Sequence, residues 1–341
     1  MHVRPGERGF SFVEMLVASS LLGLLLIAIG QLVGSGMDAQ DYARRLDRTA
    51  EASQALVDRI RLDLTSSVRL YGDGPVDLAW LGLLDLSSAP PRLPGSALPE
   101  IEDSGVFAKD QPGSEITGNM LFFAKLAWTD RFQCSSGRVF ATDVHRLVLY
   151  YLTPSGAGPA PGSGVGLNLV RVASEPLADG GQIDRIPDPA SRQEVLVHLS
   201  TGSPDASGET RPAVQVVWDR KGVPGAMGTL RQIDPSTGLL SDVPTPPRPA
   251  PWRILSDEDG VEEILSHRLS VATVFAPPSV GVGTFGIIDT TGSGFPHGFE
   301  IQVIGPKAAR QVLLRLAIAS SSSRGLLAAT TLQSVLDVRD L

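Results

Sequence analysis

Phe10 to Val33 reads FSFVEMLVASSLLGLLLIAIGQLV, an apolar run interrupted by one carboxylate, Glu14. As a helix this run extends roughly 36 Å, enough to cross a hydrocarbon core of about 30 Å. The residues before it are short and polar, with Arg4 and Arg8 against Glu7. Cations on the short side hold the N-terminus in the cytoplasm, so the chain beyond Val33 is expected on the far side of the membrane. Glu14 is the residue that a plain membrane helix does not explain, because an ionised carboxylate in hydrocarbon costs several kcal/mol.

Three readings compete for this segment. A secretory signal peptide would have a basic start, an apolar centre and release near Gly34-Ser35-Gly36, but with a shorter centre and no acid. A simple signal anchor would tolerate Glu14 near the interface. The third rests on the stretch GFSFVEMLVASSLLG, Gly9 to Gly23, which resembles the prepilin signal of type IV pilins and type II secretion pseudopilins.

That resemblance implies cleavage by a leader peptidase after Gly9, with Phe10 as the new, N-methylated terminus. It implies that Glu14, the fifth mature residue, neutralises the terminus of a neighbouring subunit during assembly. A buried carboxylate is tolerated when paired and strongly destabilising once its partner is lost, so such an acid favours one axial stagger between packed helices. Ser11, Ser19, Ser20 and Gly23 offer small surfaces for close helix approach. Many major pilins carry a helix-kinking proline further along; here that position is Gln31, with Gly30, Gly34 and Gly36 as sources of local flexibility, which favours a minor subunit.

From Asp38 the pattern turns amphipathic. Tyr42, Leu46, Ala50, Ser53, Val57, Ile60, Leu64 and Val68 recur at steps of three and four, one stripe on a helix. The other face is charged, and Asp41–Arg45 and Arg59–Asp63 are spaced for surface pairs worth a few tenths of a kcal/mol. The helix is expected to end at Tyr71-Gly72-Asp73-Gly74-Pro75. Beyond it, Ser87 to Glu100 is too rich in proline for regular structure. Strands are expected at 120–128, 143–152, 166–173, 194–200, 214–218, 264–275, 299–304 and 311–318, several with period-two alternation. The predicted fold class is α+β, pilin-like: a long N-terminal helix packed on an antiparallel sheet in an enlarged C-terminal domain. The division is a leader peptide at 1–9, a transmembrane half-helix at 10–33, an amphipathic half at 34–70 and a strand-rich domain at 71–341.

Arg146-Leu-Val-Leu-Tyr-Tyr-Leu, followed after a turn by Leu167-Asn-Leu-Val-Arg171, resembles the hairpin of the large minor pilins and pseudopilins of the PilW/GspJ group. The segments Gly260 to Val271, Glu300 to Pro306 and Val312 to Leu316 follow that group's usual C-terminal order, and Ser334 to Arg339 looks like its closing strand. The resemblance implies a PilW-like minor pilin that primes or caps a type IV pilus at its tip. A GspJ-like pseudopilin of a type II secretion system, and an adhesion or binding module at the tip, are the alternatives. The implied partners are a prepilin peptidase, other minor pilins with a major pilin or pseudopilins, the inner-membrane assembly platform, a tip adhesin and membrane lipid. The implied location is the inner membrane, single-pass with the body periplasmic, and then the filament tip.

A formal net charge of -8 argues against a nucleic-acid surface, which needs clustered Lys and Arg. The sequence holds no HExxH, Walker A loop, GxSxG elbow or Cys/His metal cluster, so neither catalytic residues nor cofactors are expected. His145 and His267 suit surface or satisfied strand positions, and Ser320 to Ser323 a polar turn. Asp257 and Asp259 are weak candidates for Ca²⁺ in what reads as a solvated acidic turn. Cys134 is the only cysteine; it reads as an inert, partly buried thiol, with an intersubunit bridge as the alternative.

Overall fold

A computed structural model describes residues 11–105, 116–159, 165–202, 204, 208–243, 252–264, 272–274, 298–321, 327–338 and 340. The chain divides into two compact units, Met1–Arg48 and Thr49–Leu341. One unbroken helix, α1 (Phe12–Thr65), runs through the boundary between them. In the first unit the helix exposes its apolar side chains, from Phe12 through Val33. It is long and apolar enough to cross a membrane.

The second unit is an α+β domain. After α1 come β1 (Ser67–Tyr71), α2 (Pro75–Leu83), β2 (Ile101–Glu102), β3 (Leu121–Gln133), β4 (Val139–Pro159), β5 (Val165–Ser174) and β6 (Leu177–Asp179). There follow α3 (Gly180–Ile183), α4 (Pro189–Thr201), β7 (Val216–Trp218), β8 (Leu230–Ile233), β9 (Leu240–Asp242) and β10 (Ser256–Glu263). The chain closes with β11 (Ala272–Val274), β12 (Phe299–Ile304), β13 (Arg310–Ser321) and β14 (Leu327–Val338). Among the described residues these form one 14-stranded sheet, ordered β2-β12-β13-β11-β5-β4-β6-β7-β8-β9. Off that path, β1 pairs with β3, β3 with β4, β10 with β5 and β14 with β13. Pairing is antiparallel except for β2 with β12 and β6 with β7.

The centre of the sheet is covered on both faces, which is why its sequence is a continuous apolar run rather than an alternation. On β4, Val148, Tyr150 and Leu152 join a core with Leu56, Val57, Ile60 and Leu64 of α1. The intervening Leu147, Leu149 and Tyr151 face a second core with Trp80 and Leu81 of α2. All six β4 side chains have no exposure. A third cluster packs Val195, Leu196 and Leu199 of α4 against Val144, Ala178 and Val217.

Two expected boundaries differ. The helix ends at Thr65, not at Tyr71, and Ser67–Tyr71 is a strand on β3. Leu70 enters the core under α1 while Tyr71 enters the opposite core, and consecutive side chains reach opposite faces only in a strand. The expected strand at 194–200 is part of helix α4. Asp188 caps it by accepting from the Ser191 N–H at 2.9 Å, Pro189 opens it, and Gly202 at φ 62° ends it. Those start and stop residues outweigh the β-branched run between them. Helix α2 lies in a stretch for which no helix is expected from the sequence. The remaining expected strands coincide with β3, β4, β5, β7, β12 and β13. Of the strand expected at 264–275, Ala272–Val274 forms β11 and 265–271 lie outside the described residues.

Candidate functional site

The helix begins with a reciprocal cap. The Ser11 backbone N–H donates to Glu14 Oε2 at 2.9 Å, and the Val13 N–H donates to Ser11 Oγ at 3.3 Å. This is a variant of the Ser-x-x-Glu capping box in which Val13, not Glu14, donates to the serine hydroxyl, and it satisfies two of the donors at the helix start. Glu14 lies in the first turn, where the helix dipole favours negative charge. This local task of Glu14 adds to the intersubunit one that the resemblance implies, and the Ser11–Glu14 spacing is its sequence signal. Further along, Ser19, Ser20 and Ser35 donate their hydroxyls to the carbonyls of Met15, Val17 and Leu32. An apolar helix thereby carries serines without leaving bare polar atoms. A Cβ added at Gly23, Gly30, Gly34 or Gly36 would meet nothing within 4 Å. Gly9 and Phe10 lie outside the described residues.

In the second unit the polar centre is Asp63, in the last turn of α1 with its side chain 4% exposed. Lys125 Nζ donates to Oδ1 at 2.6 Å, Tyr150 Oη to Oδ2 at 2.6 Å and Arg171 Nε to Oδ2 at 2.8 Å. The three donors come from β3, β4 and β5, and Tyr150 and Arg171 are directly opposed across the ladder. Burial pushes the Asp63 carboxyl up, but the hydrogen bond and charge of Arg171, then the bonds from Lys125 and Tyr150, outweigh it and hold the pKa at about 2. Burial, with the Asp63 charge beside it, moves the Tyr150 phenol well above its ordinary range. The carboxylate is therefore the ionised acceptor of all three donors.

By spacing alone Asp63 belongs to the solvated face and pairs with Arg59. Arg59 instead reaches Glu262 on β10 at 2.9 Å, and Asp63 points into the sheet. Its position three residues after Ile60 put it on the flank of the apolar stripe, which was the available signal. Leu167, Leu169 and Arg171 likewise alternate onto one buried face, with Arg171 as its polar member. The expected pair Asp41–Arg45 does form, at 2.9 Å.

Residues 4–30 match a family model, the prokaryotic N-terminal methylation motif. The match supports a type IV pilin-like protein. No curated protein and no solved structure matches the chain. The match covers the first turns of α1 and the residues just before it, and the motif implies processing by a prepilin peptidase and assembly with other pilins.

The other candidate residues are dispersed over the pilin-like body. Asp257 and Asp259 lie on strand β10, not in an acidic turn, and Asp257 pairs with Arg146. Among the described residues no group of three or more His, Cys, Asp or Glu side chains is placed to hold a metal ion. His145 is buried on β4 with its ring edge-on to Trp218 at 5.5 Å, and burial lowers its pKa. His198 is on α4 beside Asp130 at 3.2 Å, stacked on Phe132. Ser320 and Ser321 belong to strand β13, not to a turn, while His2, His267, His297, Ser322 and Ser323 lie outside the described residues. Cys134 is a buried free thiol that donates to the Ser191 carbonyl at 3.6 Å. Burial, then the nearby Glu194 charge, raises its pKa.

Proposed function

We propose that this chain is a PilW-like minor pilin of a type IV pilus, a structural subunit that primes assembly of the filament or caps its tip. The observation that carries this reading is the methylation motif at 4–30 on the same unbroken 54-residue helix whose last turns are built into a large sheet domain. A helix exposing its apolar side chains along the first unit needs either lipid or other helices around it, and the precursor and the filament supply these in turn. The chain is inserted with its N-terminus cytoplasmic, cut between Gly9 and Phe10, methylated on Phe10, and assembled with Glu14 against the new terminus of a neighbour. The capping contact holds the carboxylate at the start of the helix, inside the segment that the methylation motif covers. The body then lies on the periplasmic side, where its size suits a tip or initiating position better than a repeating shaft. Its task is to hold and present contacts rather than to catalyse.

The test is N-terminal sequencing and mass analysis of the mature chain, with location in sheared filaments. Methyl-phenylalanine at Phe10, in a chain confined to one filament end, is the expected result. A mature terminus at Met1 or beyond Val33 rejects the reading. Recovery with a secretion pseudopilus in place of a surface pilus selects the GspJ-like alternative.

A further inference from the structure

Strand β14 closes one margin of the sheet. Its inner side is fully used: twelve consecutive pairs join it to β13, from Arg310↔Val338 to Ser321↔Leu327, with no register shift. Among the described residues β13 is the only strand that pairs with it. Alternate backbone N–H and C=O groups along the outer side therefore face away from the sheet. Such an edge is a template for another strand, and proteins that remain single blunt it with a bulge, a proline, lysines or a very short strand. β14 has none of these. Leu327 to Val338 reads LAATTLQSVLDV, its one charged residue is Asp337, and the strand is about twice the usual five or six residues.

The side chains point the same way. Leu336 and Val338 are buried in the core under α1, and Val335 is 50% exposed on the opposite face. Thr330 Oγ1 lies 2.8 Å from Thr49 Oγ1, and Arg61 reaches Ser334 at 3.5 Å. α1 therefore lies along one face of β14, and among the described residues no strand pairs with its outer edge.

We propose that the outer edge of β14 is a docking strand, to which an extended segment of a neighbouring subunit of the same filament adds. The proposal rests on the pilin-like reading. The occupant follows from α1: the motif that implies assembly with other pilins is carried on the helix that Thr49 and Arg61 tie to β14. A neighbour packed along the second half of that helix comes alongside the open edge. Backbone pairing supplies the attraction. Residues directly opposite share a face, so the incoming strand carries an apolar side chain across from Val335 and no acid across from Asp337.

The experiment compares amide hydrogen exchange in the detergent-solubilised full chain with exchange in assembled filaments. The outward amides of β14 are expected to exchange quickly in the free chain and at least tenfold more slowly in filaments. In parallel, a Gln333→Lys/Val335→Lys double variant places lysines at exposed edge positions. It should melt with the wild type and enter filaments about tenfold less, whereas Val139→Lys, at another exposed strand position, should enter normally. Equal exchange in both states, or normal entry of the double variant, overturns the docking strand while leaving the pilin-like reading intact. Should the double variant fail to fold, the exchange comparison on the wild type decides. β14 protection already present in a detergent-solubilised dimer assigns the edge to a second copy and overturns the proposal. Absence of the wild-type chain from filaments overturns both readings together.

Discussion

Asp63 and Arg171 are 108 residues apart in the chain and meet at 2.8 Å between Oδ2 and Nε, beneath the last turn of α1. The pair joins a helix to the middle of a sheet through charges almost closed to solvent. Removing one member of a buried ion pair costs far more than the pair contributes, because the survivor keeps its desolvation cost. Asp63→Asn leaves Arg171 and Lys125 facing a neutral amide, and is expected to lower stability by about 3–5 kcal/mol. Urea denaturation of the full chain in detergent measures it. A loss below about 1 kcal/mol would show that water reaches the cluster freely.

The same group sets an acid limit. Its folded pKa, about 2, lies below the ordinary 3.8, so the unfolded chain binds its proton first. The stabilisation is complete above the unfolded value and disappears as pH falls from about 4 towards 2, a contribution of about 2 kcal/mol. Unfolding free energies at pH 5 and pH 2.5 should differ more in the wild type than in Asp63→Asn, by about 1.5 kcal/mol.

Glu14→Ala separates processing from assembly. Loss of an N-terminal cap costs about 1 kcal/mol at the helix start, too little to dislodge a membrane segment. Cleavage before Phe10 is therefore expected to continue, while entry into filaments falls at least tenfold. Immunoblots of membranes and of sheared filaments read the two steps separately. Glu14→Gln keeps the shape but not the charge and should behave like alanine in assembly.

Cys134 should resist alkylation in the folded chain. It is buried and its thiol pKa is raised, and only the thiolate is an effective nucleophile. Iodoacetamide labelling followed by mass spectrometry is expected to be at least tenfold slower in the native chain than in urea. Rapid native labelling, or a dimer lost on reduction, would favour an intersubunit bridge.

The helix was legible because its signals are local: an apolar run, a stripe at steps of three and four, a compact motif. So were the central strands, whose continuous apolar runs follow from cover on both faces. Residues 194–200 carry strand-forming valines, Val195 and Val197, but the helix signals lie outside that window, at Asp188, Pro189 and Gly202. Val68 continued the helical stripe arithmetically, yet tertiary pairing with β3 drew Ser67–Tyr71 into the sheet. Asp63 was misplaced for a similar reason. A charge near a stripe reads as solvated until the residues that neutralise it are known, and those lie on strands β3, β4 and β5. The hairpin containing Tyr150 and Arg171 was recognised as a pattern, but its common carboxylate was not.

The placement of those three donors bears on how the molecule carries load. α1 meets the sheet along its whole last stretch from Thr49, and at Asp63 one carboxylate ties that stretch to three adjacent strands at once. Each strand is itself hydrogen-bonded to its neighbour, so no single ladder is peeled open from an end. The joint behaves as a rivet through three plies rather than a stitch at a seam.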